Sequence, residues 1–91
     1  MVILGAENND RFVRVYPNPA PDKVYVEVRD HSDVAVELVS TTGVQLRATK
    51  LSGSDDLKTA TFDITSLPDG MYLVRVKAGA KIYTKKILKA K

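Results

Sequence analysis

Short runs of alternating apolar and polar residues are the feature that most restricts what this chain can fold into. The clearest run is Lys23–Arg29, in which every second residue is a valine and the residues between are Tyr25 and Glu27. A period of two places the valines on one face of an extended strand. Turn formers interrupt the chain roughly every eight to twelve residues, and no stretch has a helical period. The sequence therefore predicts an all-β fold.

Six further runs predict six further strands. We place them at 12–16, 34–40, 44–49, 57–64, 71–77 and 81–89. In the fourth strand Val44, Leu46 and Ala48 are predicted to face inward. In the last strand the apolar residues change face, which predicts a β-bulge near Lys85 and Lys86. Strands of this number and length predict an immunoglobulin-like antiparallel β-sandwich of about seven strands.

The predicted core follows from the inward phase of these strands. Pro68, Asp69 and Gly70 form a turn that leads into the sixth strand, because proline fixes φ and glycine supplies a positive φ. Tyr72 follows at the position where immunoglobulin-like sandwiches keep a tyrosine that ties one sheet to the corner of the other. The predicted core residues are Val24, Val26, Val36, Leu38, Leu46, Phe62, Ile64, Tyr72, Val74 and Val76.

Length and composition limit the chain to one domain. Its 91 residues suffice for a single core without disulfides, and it contains no cysteine. Residues 1–11 are polar towards their end and are predicted to be a linker or tail, whereas residues 12–91 form the domain. No stretch resembles a signal peptide or a membrane span, so we expect an exported form to be part of a longer protein.

The charge is distributed unevenly. Residues 75–91 hold seven of the fourteen basic residues and none of the eleven acidic ones. A basic end of this kind fits an acidic partner, a nucleic acid or an anionic membrane surface. Lysines on an edge strand also discourage aggregation between sheets, which is the simpler interpretation.

Residues that could carry chemistry are few, so neither an enzyme nor a metal or cofactor site is predicted. The only imidazole, His31, lies in a predicted turn. The acids Asp30, Asp33, Asp55 and Asp56 lack the spacing of a calcium-binding loop and are better explained as turn formers.

Two tyrosines suggest a different kind of surface. Tyr25 and Tyr83 are predicted to be exposed and, with the basic last strand, could stack against a sugar or a single-stranded nucleic acid. Tyrosine is also a good strand former, which is the simpler interpretation, and no nucleic-acid partner is predicted.

Several short motifs occur in an order that resembles a known family. They are Tyr16-Pro17-Asn18-Pro19, the strand Val24-Tyr25-Val26, Gly43 after a strand, Leu67-Pro68-Asp69-Gly70-Met71-Tyr72, and the ending Lys85-Lys86-Ile87-Leu88-Lys89. Over about residues 12–91 the chain resembles the type IX secretion system C-terminal sorting domains of Bacteroidetes.

That resemblance implies a function in protein transport. Such a domain ends a larger exported cargo protein, directs it across the outer membrane through the type IX translocon, and is then removed by a sortase-like cysteine peptidase. The cargo passes through the periplasm and reaches the outer membrane, the cell surface or the extracellular space. On this basis the chain is expected to end its precursor, to have its cleavage region within residues 1–11, and not to span the membrane. A dimer through edge strands stays open.

The resemblance also implies roles for particular residues. Pro17, Asn18 and Pro19 match the proline motif, and Gly70 and Tyr72 match the glycine-tyrosine motif; both, like Gly43, are expected to serve mainly the fold. The terminal motif is expected to serve recognition: the translocon would read its lysines, Lys85, Lys86 and Lys89, while Ile87 and Leu88 anchor the strand. The alternative is an accessory immunoglobulin-like module of an extracellular protein that binds glycan or a neighbouring domain.

Overall fold

A computed structural model describes residues 12–30, 32–52 and 56–90. The predicted linker with its cleavage region at residues 1–11, the turn residues His31 and Asp55, and the terminal Lys91 lie outside the described residues.

Every regular element of the described residues is a strand, which confirms the all-β, immunoglobulin-like prediction. The strands are β1 (Val13–Tyr16), β2 (Lys23–Arg29), β3 (Val34–Ser40), β4 (Gln45–Leu51), β5 (Leu57–Asp63), β6 (Gly70–Ala78) and β7 (Lys81–Lys89). They form a three-stranded sheet in the order β1-β2-β5 and a four-stranded sheet in the order β4-β3-β6-β7.

All neighbouring strands are antiparallel, so the connections collect at the two ends of the sandwich. We call one end the N-terminal pole, where β1, β3, β5 and β7 begin and where β2, β4 and β6 end. The other end is the C-terminal pole, where β7 ends; the connections 17–22, 41–44 and 64–69 join strands there.

The core lies between the inward faces of the two sheets. Nine of the ten predicted core residues are buried, and the tenth, Leu46, is partly buried and packs against them. Tyr72 is 8% exposed, and its hydroxyl donates a hydrogen bond to the carbonyl of Pro68, 2.5 Å away. This bond back to the chain a few residues upstream is the tyrosine corner predicted from the sequence.

The predicted phase of β4 is wrong beyond Leu46. Ala48, predicted to face inward, is exposed, whereas Thr49, predicted to face outward, is partly buried; Val44, which precedes the strand, is exposed as well. The cause is an irregularity in the pairing with β3: Leu38 pairs with Arg47, but the next residue of β3 pairs with Gln45. Leu46 is therefore an extra residue in its strand, and such a bulge exchanges the inward and outward positions that follow it.

The predicted bulge in β7 is also wrong. All nine residues of β7 pair one to one with β6, from Ala78 with Lys81 to Gly70 with Lys89. The strand keeps its alternation by placing lysines among the inward residues. The inward residues are Tyr83, Lys85, Ile87 and Lys89, and the outward residues are Ile82, Thr84, Lys86 and Leu88.

Candidate recognition site

The proline loop, residues 17–22, is bonded to the end of the terminal strand. The side-chain oxygen of Asn18 accepts a hydrogen bond from the N–H of Leu88 at 3.0 Å, across a separation of 70 residues. Ala20 donates its N–H to the carbonyl of Leu88 at 2.7 Å and accepts from the N–H of Ala90 at 3.1 Å. Two motifs from opposite ends of the sequence therefore form one unit at the C-terminal pole.

The sequence of the proline loop explains which of its residues bond to the terminal strand. Pro17 and Pro19 have no N–H, so hydrogen bonding to the strand falls to Asn18 and Ala20. Both prolines are exposed and follow cis peptide bonds, whereas Ala20 is completely buried. A small apolar residue at position 20 lets the loop backbone approach the end of β7 closely.

Lys89 joins the glycine-tyrosine motif to the same unit. Its side chain is only 3% exposed, and its ammonium lies 3.2 Å from a carboxylate oxygen of Asp69. Its backbone pairs with Gly70 on one side and forms a bridge with Ala20 on the other. Lys89 is thus positioned to hold the end of the strand, and its ammonium already has a carboxylate partner.

The two motif glycines lie at this pole and have positive φ angles. Gly43 has φ of 92° in the turn that follows β3, and Gly70 has φ of 151° at the start of β6. A side-chain Cβ would meet no atom within 4 Å at either position. The backbone conformation, and not a shortage of space, is what favours glycine here.

The other residues of the terminal motif are divided between the two faces of β7. Ile87 is 1% exposed and belongs to the core, which fits the anchoring role predicted for it. Lys86 and Leu88 lie on the outer face and are exposed. Lys85 is partly buried on the inner face, and burial lowers the pKa of its ammonium. Lys86 is therefore the most accessible of the three lysines predicted to be read.

An apolar patch that sequence reasoning missed adjoins the terminal motif. Met71 pairs with Leu88 on the outer face of the four-stranded sheet, and both side chains are exposed. Next to them Leu73 pairs with both Val39 and Lys86. The signal was available in the sequence, because Met71 and Leu73 hold outward positions in the alternation of β6.

Of the two tyrosines predicted to be exposed, Tyr25 is exposed and Tyr83 is not, so they form no common stacking surface. Tyr83 is only 8% exposed and lies against Phe12, with ring centroids 6.3 Å apart. Tyr25 is in the other sheet and stacks on Tyr16 at 5.6 Å. Tyr83 is buried because β7 has no bulge, so its ring keeps the inward phase.

Residues 12–30, 32–52 and 56–90 contain no cluster of three or more histidine, cysteine or acidic residues that could hold a metal ion. The same residues contain no helix long and apolar enough to cross a membrane.

A comparison with known families decides what this arrangement belongs to. The family model for the secretion system C-terminal sorting domain matches residues 14–90. The chain belongs to this family. This sorting domain is therefore a type IX secretion signal, which implies a cargo attached at its N-terminal side and export towards the cell surface or the extracellular space. A search of curated proteins finds no match to the chain.

Proposed function

We propose that the type IX translocon reads the C-terminal pole of this sorting domain together with β7. A sortase-like cysteine peptidase then cuts within residues 1–11 and releases the cargo for attachment to lipopolysaccharide. The observation that carries the proposal is the meeting of the proline, glycine-tyrosine and terminal motifs around Leu88 and Lys89. Cargo would pass through the periplasm before it reaches this receptor.

The geometry separates the cargo from the motifs. A cargo chain enters at the start of β1, at the N-terminal pole, whereas the three motifs lie at the C-terminal pole. The nine residues of β7 run between the two poles, a distance of about 30 Å for an extended strand. A receptor at the C-terminal pole would therefore not touch the cargo, which would let it accept cargoes of many shapes.

Within the terminal motif we assign two kinds of task. Lys86 and Leu88, on the exposed outer face, are available for direct contact with the translocon, and Lys85 adds positive charge beside them. Ile87 and Lys89 hold the strand in place through the core and through Asp69. Deletion of residues 87–91 would remove contact and support together, so a point variant tests recognition better.

The sharpest test is charge reversal of Lys86 in a cargo fusion. Lys50 offers a matched control, because it is also an exposed lysine in an edge strand of the same sheet. We expect Lys86→Glu to leave the reporter in the periplasm and Lys50→Glu to export it like the unaltered fusion. Cell fractionation measures both, and equal thermal unfolding of the purified domains shows that folding is not the cause.

Two results would contradict the proposal. Normal export of the Lys86→Glu fusion would remove Lys86 from recognition. Failure of the unaltered fusion to leave the periplasm would favour the accessory-module alternative, which carries no export signal.

The position of the cleavage site can be tested separately. Val13 is fully buried and pairs with Val28, so a peptidase cannot take up the chain at β1 without unfolding it. Mass spectrometry of the released domain should give an N-terminus within residues 1–12. A first residue beyond Val13 would contradict this site.

A further inference from the structure

The terminal strand β7 is an edge strand, and the proline loop covers only its last residues. Both the N–H and the carbonyl of Leu88 bond to that loop, so they point away from β6. In an antiparallel ladder alternate residues point to the same side. Because β7 has no bulge, the backbone groups of Ile82, Thr84 and Lys86 also point away from β6.

These three residues form an uncovered edge within the described part of the chain. The proline loop reaches Leu88 and Ala90 and no earlier residue of β7. The nearest strand of the other sheet, β1, pairs only with β2. Over a length of about 17 Å, the outward N–H and carbonyl groups of Ile82, Thr84 and Lys86 therefore have no backbone partner among residues 12–30, 32–52 and 56–90.

The side chains along this edge include one that favours strand addition as well as lysines that oppose it. Lysine discourages strand addition; Lys81 precedes the stretch 82–86 and Lys86 is its last residue. Between them, however, Ile82 is 61% exposed, more than any other large hydrophobic residue described. An exposed isoleucine on an open edge favours association with another strand, and the lysines then select the charge of that strand.

We propose that residues 82–86 are a docking edge for an extended acidic segment of a type IX partner protein, which adds to the four-stranded sheet as a fifth strand. The proposal rests on the proposed function as a sorting signal. Backbone hydrogen bonds to Thr84 and its neighbours supply affinity that does not depend on the cargo. An apolar residue of the segment lies opposite Ile82 and a carboxylate lies opposite Lys86.

The proline loop gives this docking edge a fixed limit. It occupies the outward groups of Leu88 and Ala90, so an incoming strand cannot extend past Lys86. Register is otherwise weakly specified on an exposed edge, because a slip of two residues keeps both the backbone bonding and the faces of the side chains. The loop thus sets where the partner strand stops.

A second copy of this chain fits the docking edge less well than an acidic segment. Each copy would bring its own Lys81, Lys85 and Lys86 to the joint, and residues 75–91 contain no acidic side chain to offset them. Like charges across paired strands are destabilising.

A proline substitution can remove the docking edge without altering the fold. Thr84→Pro deletes one outward N–H and leaves the bonds to β6 intact, and proline is tolerated where an edge N–H faces solvent. Thr61 in the edge strand β5 is the matched control. The N–H of Ile64 bonds towards β2, while the carbonyl of Asp63 faces Arg47 on the other side, so Thr61 also points outward. Both threonines are exposed.

The binding experiment uses the 91-residue domain and two seven-residue threonine-based peptides, each with valine at position 6 and with either glutamate or lysine at position 2, four residues apart on one face like Ile82 and Lys86. We expect the glutamate peptide alone to bind and to slow amide exchange at Ile82, Thr84 and Lys86. Thr84→Pro should weaken this binding about tenfold or more, because one backbone hydrogen bond is lost and a carbonyl of the peptide is left unpaired. Thr61→Pro should leave the binding unchanged.

Several outcomes would overturn the docking edge. One is that Thr84→Pro and Thr61→Pro weaken peptide binding equally. Another is that the lysine peptide binds as well as the glutamate peptide. Slow exchange at Thr84 in the free domain would show that the preceding chain or a second copy already covers the edge, and sedimentation would distinguish these two. In cells, normal export of Thr84→Pro cargo would refute the docking edge and leave the sorting function standing, whereas loss of export by unaltered cargo would refute the sorting function itself.

Discussion

Replacing Tyr72 tests the corner on which the C-terminal pole is built. The ring is 8% exposed in the core, and the hydroxyl bonds to the carbonyl of Pro68. Tyr72→Ala removes both, and large aromatic truncations in a core cost about 3–5 kcal/mol. Tyr72→Phe removes only the hydroxyl, so it should cost about 0.5–1.5 kcal/mol.

Denaturation in urea followed by circular dichroism gives both free energies of unfolding. For a domain of this size the phenylalanine variant should also melt about 4–8 °C lower for each kcal/mol lost. Tyr25 is the control residue, because it lies in a strand but is 39% exposed, and its change to phenylalanine should have little effect. A loss below about 1 kcal/mol for Tyr72→Ala would refute burial of the ring. No loss for Tyr72→Phe would refute a contribution from the corner bond.

Two further predictions concern the same pole. Asn18→Ala should destabilise the domain by about 1 kcal/mol and speed amide exchange at Leu88 about fivefold, because the N–H of Leu88 loses its acceptor. Asn18→Asp keeps the acceptor and should change neither quantity. Unchanged exchange in the alanine variant would contradict the hydrogen bond between Asn18 and Leu88. Hydrogen bonds from the hydroxyl and the N–H of Thr65 lower the pKa of the exposed Asp63 below 3.8. The stability that these bonds contribute to the fold is therefore present above that pH and is lost as the pH falls below it. Thr65→Val should make acid unfolding less steep, and an unchanged titration of Asp63 by NMR would contradict this cause.

Both the fold and the family could be predicted from the sequence. Alternation of apolar residues predicted all seven strands, with boundaries within one or two residues, because one face of each strand has to be buried. Tyr72 was predicted as a corner residue because a Pro-Asp-Gly turn ends two residues before it. The ordered motifs indicated the sorting-domain family, which the match over residues 14–90 then showed.

The errors have one physical origin. A bulge was predicted in β7 and occurs in β4, because apolar spacing alone cannot show whether a strand slips or buries a charged residue. Lys89 can occupy an inward position since Asp69 of another connection meets its ammonium at 3.2 Å. Lys58, an inward residue of β5, is buried in the same way, and its ammonium bonds to the carbonyl of Asp30. Such partners are distant in sequence and leave no local pattern.

The sequence by itself determined the strands, their inward valines and the family motifs, since each depends on neighbouring residues and on the period of an extended chain. Only the tertiary structure decided that Asn18 meets Leu88, that Lys89 is buried, and that Ile82 is exposed on β7. The reason is that strand order and loop packing bring together residues as much as 70 positions apart, and those contacts determine which part of a motif supports the fold and which part stays accessible to a partner.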